Sequence, residues 1–214
     1  LRRIKELSPD TPVILMTAFS TVENAVEAMK HGAYHYLNKP SNLDDVALTE
    51  DDVLGEVDKG FGILFDTLNP ERIILSGLCT GIGRFALKKA VAYANERKLF
   101  NKTPIGAYQG VQHPLAIARS EIEMASLMAL KAAWTFDQGL PAGEFANIAK
   151  YAAAEAGINA VDAAIQTHGG NGFTKEYGIY DLYGLVRLLR TAPLNREMVL
   201  NYIAEHVMGL PRSY

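Results

Sequence analysis

Residues 109–138 read QGVQHPLAIARSEIEMASLMALKAAWTFDQ, and the spacing of apolar residues in this stretch decides the fold. Apolar and small side chains recur at alternating intervals of four and three: Val111, Leu115, Ala118, Ile122, Ala125, Ala129, Ala132 and Phe136. This spacing is typical of a helix in a left-handed bundle, and its small residues permit close approach of a neighbouring helix. Gly139 and Pro141 end the predicted helix.

Helical patterns also fill the rest of the second half of the chain. Three further segments are predicted: one from about Asn69 to Lys98, one from about Glu144 to Thr167, and a broken one from about Asp181 to Met208. Asn195 is a suitable N-cap for the last helix, which Gly209 and Pro211 close. The predicted fold class is mainly α, with the helices in an antiparallel bundle.

The first forty residues follow a different pattern. The run PVILMTA predicts a buried strand, and STVENAVEAMKHG predicts a helix with Ser20 as N-cap, Glu23 completing a capping box and Gly32 at the end. AYHYLNKP predicts a second strand, which Pro40 stops. These elements form one small βαβ unit, which needs further parallel strands to pack on. The predicted division is therefore a βαβ fragment at 1–40, an acidic connector at 41–68 and a helical bundle at 69–214.

Composition limits the possible functions. The chain has 214 residues, 49% of them hydrophobic, and a formal charge of −3, which is typical of a soluble globular protein and does not favour a nucleic-acid partner. Its single cysteine, Cys79, allows no intrachain disulfide, so we expect a reducing, cytoplasmic compartment. No apolar run approaches the ~20 residues of a membrane span.

Histidine spacing gives little support for a metal site. His31 and His35 are four residues apart, as two ligands on one helical face would be, but Gly32 lies between them at a helix end. The other histidines lack a paired cysteine or carboxylate at zinc-site spacing. We expect no bound metal.

Three short motifs each allow a structural and a functional interpretation. In LNPERIIL (68–75), Glu71 and Arg72 are either a solvated helix start or a catalytic base held at a helix N-terminus inside a pocket. In QTHGGNGF (166–173), the glycines are either a helix C-cap or a loop that brings backbone N–H groups near a ligand. In NERKLF (95–100), Arg97 suits a helix C-terminus with or without a ligand.

Taken together and in order, these motifs resemble a known family. LNPERIILSG, YANERKLF, PIGAYQGVQ, QTHGGNGF and the ending AEHVMGLPRSY are similar to the C-terminal half of acyl-CoA dehydrogenases. The resemblance extends from about Asn42 to Tyr214. It implies the helical bundle of that family and an FAD-dependent α,β-dehydrogenation of acyl-CoA thioesters in fatty acid metabolism.

The resemblance also implies cofactor contacts and partners. FAD would lie between subunits of a homodimer or homotetramer, and an electron-transfer flavoprotein would accept the electrons. The residues matched to the contacts with a neighbour's FAD are Arg97 at the pyrophosphate, Phe100 beside it, Gln109, Gln166, Gly169 and Gly170.

The position of the base differs between members of this family. Many carry a glutamate roughly twenty residues after the Gly-rich loop, where this chain has Pro193, which cannot accept a proton. Some relatives carry the base instead in the helix that begins ERI, immediately before the arginine. Glu71 fills that position and would remove the α-proton, while Arg72 would orient the substrate.

Residues 1–40 resemble the C-terminal part of a response-regulator receiver domain. Thr17 matches the switch hydroxyl, Tyr36 the switch aromatic residue and Lys39 the phosphate-facing lysine. We favour a seam between Pro40 and Asn42 that joins two unrelated frames. A receiver-regulated fusion and a helical interaction module without chemistry remain the alternatives.

Overall fold

The computed structural model describes residues 1–7, 13–17, 22–38, 56, 60–100 and 102–213. The chain divides into two compact units, residues 1–54 and 55–214. In the described part, no helix is both long enough and apolar enough to cross a membrane.

The first unit contains the predicted βαβ arrangement. Its elements are helix α1 (Arg2–Leu7), strand β1 (Ile14–Thr17), helix α2 (Val22–Lys30) and strand β2 (His35–Asn38). The strands pair in parallel, with Ile14 opposite His35 and Thr17 opposite Asn38. Gly32 follows α2 with φ +86°, as its predicted role at a helix end requires. The predicted N-cap Ser20 and the receiver-like Lys39 lie outside the described residues.

The second unit is a helical bundle, as predicted. Its helices are α3 (Gly60–Glu96), α4 (Gln109–Asp137), α5 (Gly143–His168), α6 (Tyr180–Leu189) and α7 (Arg196–Tyr202), the last continued by a π-helical turn (Ile203–Val207). Helices α3 and α5 run in the same direction, because Arg72 and Asn147 border one cavity while Tyr93 stacks on His168 far along both helices. Helix α4 runs in the opposite direction.

The core lies where α3, α4 and α5 meet, and small side chains dominate it. Six residues of the predicted α4 stripe are buried: Leu115, Ala118, Ile122, Ala125, Ala129 and Ala132. Val111 is half-buried and Phe136 is exposed, so the stripe is confirmed except at its last position. Gly157 of α5 faces the Cys79 carbonyl of α3 so closely that an added Cβ would lie 3.2 Å from that oxygen.

The predicted start of the first bundle helix is wrong. Helix α3 begins at Gly60, nine residues before Asn69, and contains Pro70 inside it. Proline lacks a backbone N–H and is usually confined to the first turn of a helix. Leu64 and Leu68, four residues apart, border a cavity with Leu194, so tertiary packing stabilises the earlier turns. Glu71 therefore lies within the helix and not at its N-terminus.

The broken C-terminal segment is confirmed. Residues 190–195 separate α6 from α7, and the Asn195 side chain accepts a hydrogen bond from the Met198 backbone N–H at 2.8 Å. Gly139 and Gly209 adopt φ of +67° and +71° just after α4 and after the π-helical turn, as predicted for helix-terminating glycines.

Candidate functional site

One end of the bundle gathers all the residues predicted to hold a cofactor. Because α4 runs opposite to α3 and α5, the end of α3, the start of α4 and the end of α5 lie together. We call this region the loop end; it carries Arg97, Phe100, Gln109, Gln166, Gly169 and Gly170.

The turn after α3 is fixed by backbone hydrogen bonds and presents its side chains outward. The Ile105 N–H donates to the Arg97 carbonyl at 2.8 Å, and Lys98 forms an antiparallel bridge with Pro104. Arg97 is exposed, and the Phe100 side chain is fully exposed. An aromatic ring with no cover in the monomer is available to contact another molecule.

The end of α5 presents an open glycine surface. Gly169 has φ +59°, and its N–H closes the helix by donating to the carbonyls of Gln166 and Ile165. A Cβ at Gly169 or Gly170 would meet no atom within 4 Å, whereas one at Gly172 would lie 2.7 Å from the Ile165 carbonyl oxygen. The first two glycines therefore leave room for a ligand, and the third is required by packing.

A groove of about 640 Å³ runs along α4 and α5 from the loop end. Leu99, Tyr108, Val111, Ile117 and Gln166 are among its lining residues. It is mostly apolar, with polar groups at its border, as is usual for cofactor sites.

Glu71 and Arg72 lie toward the opposite end of α3. Glu71 is exposed. Arg72 is only 2% exposed, and its Nη1 donates to Asn69 Oδ1 at 2.7 Å. Burial lowers the pKa of the Arg72 guanidinium, and Tyr202 and Glu71 act in the opposite direction.

Arg72 borders a cavity of about 220 Å³, the Arg72 cavity. Its walls come from α3, α5, the 190–195 turn and the C-terminal helix: Leu64, Leu68, Arg72, Asn147, Leu194, Met198, Asn201, Tyr202, Glu205 and His206. Pro193 precedes the wall residue Leu194, so the position at which many relatives carry the base lies near Arg72.

Sequence reasoning missed Lys150, which is 1% exposed and donates from Nζ to the Leu189 carbonyl at the end of α6. Burial lowers the pKa of Lys150; Cys79 opposes this shift and Arg72 adds to it. The available signal was a lysine on the buried alanine face of α5, three residues after Asn147 and three before Ala153. A charged residue in such a position requires a polar partner.

The structure thus separates the predicted site residues into two groups. Glu71 and Arg97 lie roughly 40 Å apart along α3, given a rise of about 1.5 Å per residue. Among the described residues, no group of three His, Cys, Asp or Glu side chains could hold a metal ion.

Comparison with known proteins identifies the family. Residues 58–208 match the family described as acyl-CoA dehydrogenase, C-terminal domain, and residues 1–49 match the response regulator receiver domain. Acyl-CoA dehydrogenase fadE12 of Mycobacterium tuberculosis is 53% identical over 174 residues, which are 80% of this chain and 45% of that protein. The chain therefore spans less than half the length of this relative.

Solved structures agree with the sequence relatives. Butyryl-CoA dehydrogenase from Megasphaera elsdenii aligns with a TM-score of 0.68 and 31% identity, over 73% of this chain and 40% of that one. An FAD complex of PigA aligns with a TM-score of 0.73 and 25% identity, over 79% of this chain and 43% of that one. Since the family match covers most of the chain and the bundle aligns with a solved member, the chain belongs to the acyl-CoA dehydrogenase family of oxidoreductases through its C-terminal helical domain.

Proposed function

We propose that this chain takes part in the FAD-dependent dehydrogenation of an acyl-CoA thioester. The observation that carries the proposal is the convergence of the six predicted cofactor residues at the loop end of the bundle. These residues come from two separate stretches of sequence, 97–109 and 166–170, so their convergence supports a common ligand.

The loop end has the chemistry that a flavin dinucleotide requires. Arg97 offers an exposed guanidinium suited to a pyrophosphate, and Gln109 and Gln166 offer exposed side-chain amides. The space in front of Gly169 and Gly170 would let a ligand approach the backbone. Phe100 would pack beside the nucleotide. FAD, when bound, supplies the acceptor for the hydrogen that leaves the substrate β-carbon.

In this reaction Glu71 would remove the α-proton of the thioester. A general base needs a free carboxylate within hydrogen-bond reach of that proton. No hydrogen bond or ion pair holds the exposed Glu71 side chain within the described part of the chain. The 190–195 turn and Arg72 border the same cavity, which supports Glu71 as a substitute for the base that Pro193 replaces.

The separation of Glu71 from the loop end supports a site shared between subunits. The ribityl chain joins the pyrophosphate to the flavin ring over on the order of 10 Å, given covalent bonds of about 1.5 Å. One FAD molecule bound through Arg97 could not bring its ring to Glu71 of the same chain. We therefore propose that Arg97 of one copy and Glu71 of another serve one FAD.

Apolar residues on the outer face of α4 support such an oligomer. Large side chains on this face are exposed: Ile117, Met124, Leu127, Leu130 and Trp134. An exposed apolar surface of this kind marks a protein interface. A homodimer or homotetramer, electron transfer to an electron-transfer flavoprotein and a cytoplasmic location complete the proposal.

FAD binding to the full 214-residue chain tests the cofactor site. Flavin fluorescence titration should give an affinity that Arg97→Gln weakens about 10- to 100-fold, since a hydrogen bond to a charged group contributes about 1.5–3 kcal/mol. Lys88→Gln removes an exposed cation from the same helix and should leave the affinity unchanged. Equal affinities for all three proteins would refute the role of Arg97.

Reduction of bound flavin by butyryl-CoA under anaerobic conditions tests the base. Glu71→Gln should slow reduction by about 10²- to 10⁴-fold, the usual contribution of a general base. FAD affinity should stay the same, because Glu71 would act on the substrate α-proton and is not among the predicted FAD contacts. A rate near that of the unmodified chain would exclude Glu71 as the base.

A further inference from the structure

Arg72 is a buried cation whose hydrogen-bonded side-chain partner is neutral. The partner is the Asn69 amide oxygen, at 2.7 Å from Nη1. The buried Nε atom has no hydrogen-bond partner within the described part of the chain. A guanidinium carries five N–H donors, and a buried charge is normally paired because its desolvation is costly. The site therefore has unused capacity for an anion.

A second buried cation lies close to the first. Lys150 is also almost fully buried, and the two positive charges repel each other enough to help lower the pKa of Lys150. Glu155, the carboxylate that attracts Lys150, is already engaged, since its Oε1 lies 2.8 Å from Arg190 and 3.0 Å from Arg196. Two almost fully buried basic side chains therefore lie near each other in this part of the bundle.

Glu71 attracts the Arg72 guanidinium electrostatically, but no carboxylate among the described residues is paired with it. Glu71 is exposed, and among the described residues no carboxylate forms an ion pair with the Arg72 guanidinium within 4.0 Å. Glu205 also lines the cavity, and its carboxylate oxygen lies 3.9 Å from His206 Nε2. Tyr202 contributes a hydroxyl, which is positioned by close packing on Gly143.

The cavity itself is amphipathic. Arg72, Asn147 and Tyr202 supply polar groups to its wall, while four aliphatic or thioether side chains supply the apolar part: Leu64, Leu68, Leu194 and Met198. Its volume of about 220 Å³ exceeds the roughly 150 Å³ of a cavity that holds benzene. The space suits a short aliphatic chain that ends in a hydrogen-bond acceptor.

We propose that the Arg72 cavity binds a carboxylate group carried on a short aliphatic chain. The carboxylate accepts hydrogen bonds from the Arg72 guanidinium in the field of Lys150, and the chain packs on Leu64 and Leu68. The ligand has two possible sources with the same chemistry. One is a free dicarboxylate; the other is an acyl thioester with a terminal carboxylate, which rests on the proposed function.

Calorimetric titration of the 214-residue chain with glutarate, in the absence of FAD, tests the site. We expect saturable binding that Arg72→Gln weakens at least about 10-fold, as for loss of a charged hydrogen bond. Dimethyl glutarate has the same chain without charge. It should bind the unmodified protein no more tightly than glutarate binds Arg72→Gln. Lys88→Gln, on the same helix but remote from the cavity, should bind glutarate normally.

A second variant keeps the test decisive if Arg72→Gln does not fold. Met198 is partly exposed, so Met198→Trp can fill the cavity while leaving the guanidinium in place, and it should abolish glutarate binding. No saturation below about 10 mM, or equal affinity in Met198→Trp, would overturn the proposal. Equal affinity for dimethyl glutarate would also overturn it.

Glutaryl-pantetheine distinguishes the two sources. Tighter binding of this thioester than of glutarate, lost in Arg72→Gln, identifies an acyl chain as the ligand. Equal or weaker binding identifies a free dicarboxylate. Because FAD is omitted, a failure of the proposed dehydrogenation does not affect the result.

Discussion

At the scale of single residues, the α3–α5 interface is unusual in burying ionisable groups among alanines. Cys79 is fully buried beside Lys150, and burial raises the pKa of the Cys79 thiol to about 11, although Lys150 opposes the shift. Gly157 makes room for this arrangement by letting α5 approach the Cys79 carbonyl.

The Cys79 shift predicts how stability depends on pH. The unfolded thiol loses its proton near pH 9.0, and the folded thiol keeps it until about pH 11. Above pH 9 the folded state therefore binds more protons, and the free energy of unfolding falls as pH rises. Relative to Cys79→Ala, the unmodified chain should lose on the order of 2 kcal/mol between pH 9 and 11. Urea unfolding of both proteins across this pH range measures the difference. The same pH dependence of the free energy of unfolding in both proteins would contradict the prediction.

The glycines after α5 differ in what a methyl group would meet. Gly172→Ala places a Cβ about 2.7 Å from the Ile165 carbonyl, so the turn must shift, and overpacking of this kind costs roughly 1–3 kcal/mol. Gly170→Ala is the matched control, because open space faces that position. Thermal unfolding should show a lower Tm for Gly172→Ala alone. A similar loss in both variants would mean that the turn itself disfavours alanine.

At the scale of elements, α7 is short and depends on its cap. Asn195→Ala should cost about 1 kcal/mol, because the Met198 N–H loses its side-chain acceptor. Asn195→Asp retains an acceptor and should remain close to the unmodified chain. Hydrogen exchange of the α7 amides is the direct measurement. Exchange should accelerate for Asn195→Ala, and unchanged rates would show that packing alone holds this helix.

Element type was easier to predict than element boundaries. The α4 stripe predicted a helix whose observed end differs by one residue, since its apolar spacing and Gly139 are local signals. The start of α3 was missed because residues 41–68 are predicted to be an acidic connector, while the turns from Gly60 depend on contacts with the distant Leu194. Such contacts cannot be inferred from local spacing.

At the scale of the whole molecule, the bundle topology decides which predicted site residues meet. Sequence motifs predict the cofactor residues, and the alternating helix directions place them at one end of the bundle. The same topology places Glu71 roughly 40 Å from Arg97 along α3. The hydrogen-bond partner of Lys150 and the shape of the Arg72 cavity were not predictable, because they depend on how α5, α6 and α7 pack around α3.

The proposed sharing of one FAD between copies predicts complementation between two inactive variants. In a dimer of Glu71→Gln with Arg97→Gln, one site combines both intact residues and the other combines both substitutions. Random mixing after dissociation makes half of the molecules heterodimers, so activity should return to about a quarter of the unmodified level. Samples mixed without a dissociation step provide the control, since they should retain only the sum of their separate residual activities. If Glu71 and Arg97 instead acted within one chain, every site in the mixture would carry one substitution. Activity after subunit exchange would then not rise, which makes the rate of butyryl-CoA oxidation in the exchanged mixture a direct measure of whether the site is shared.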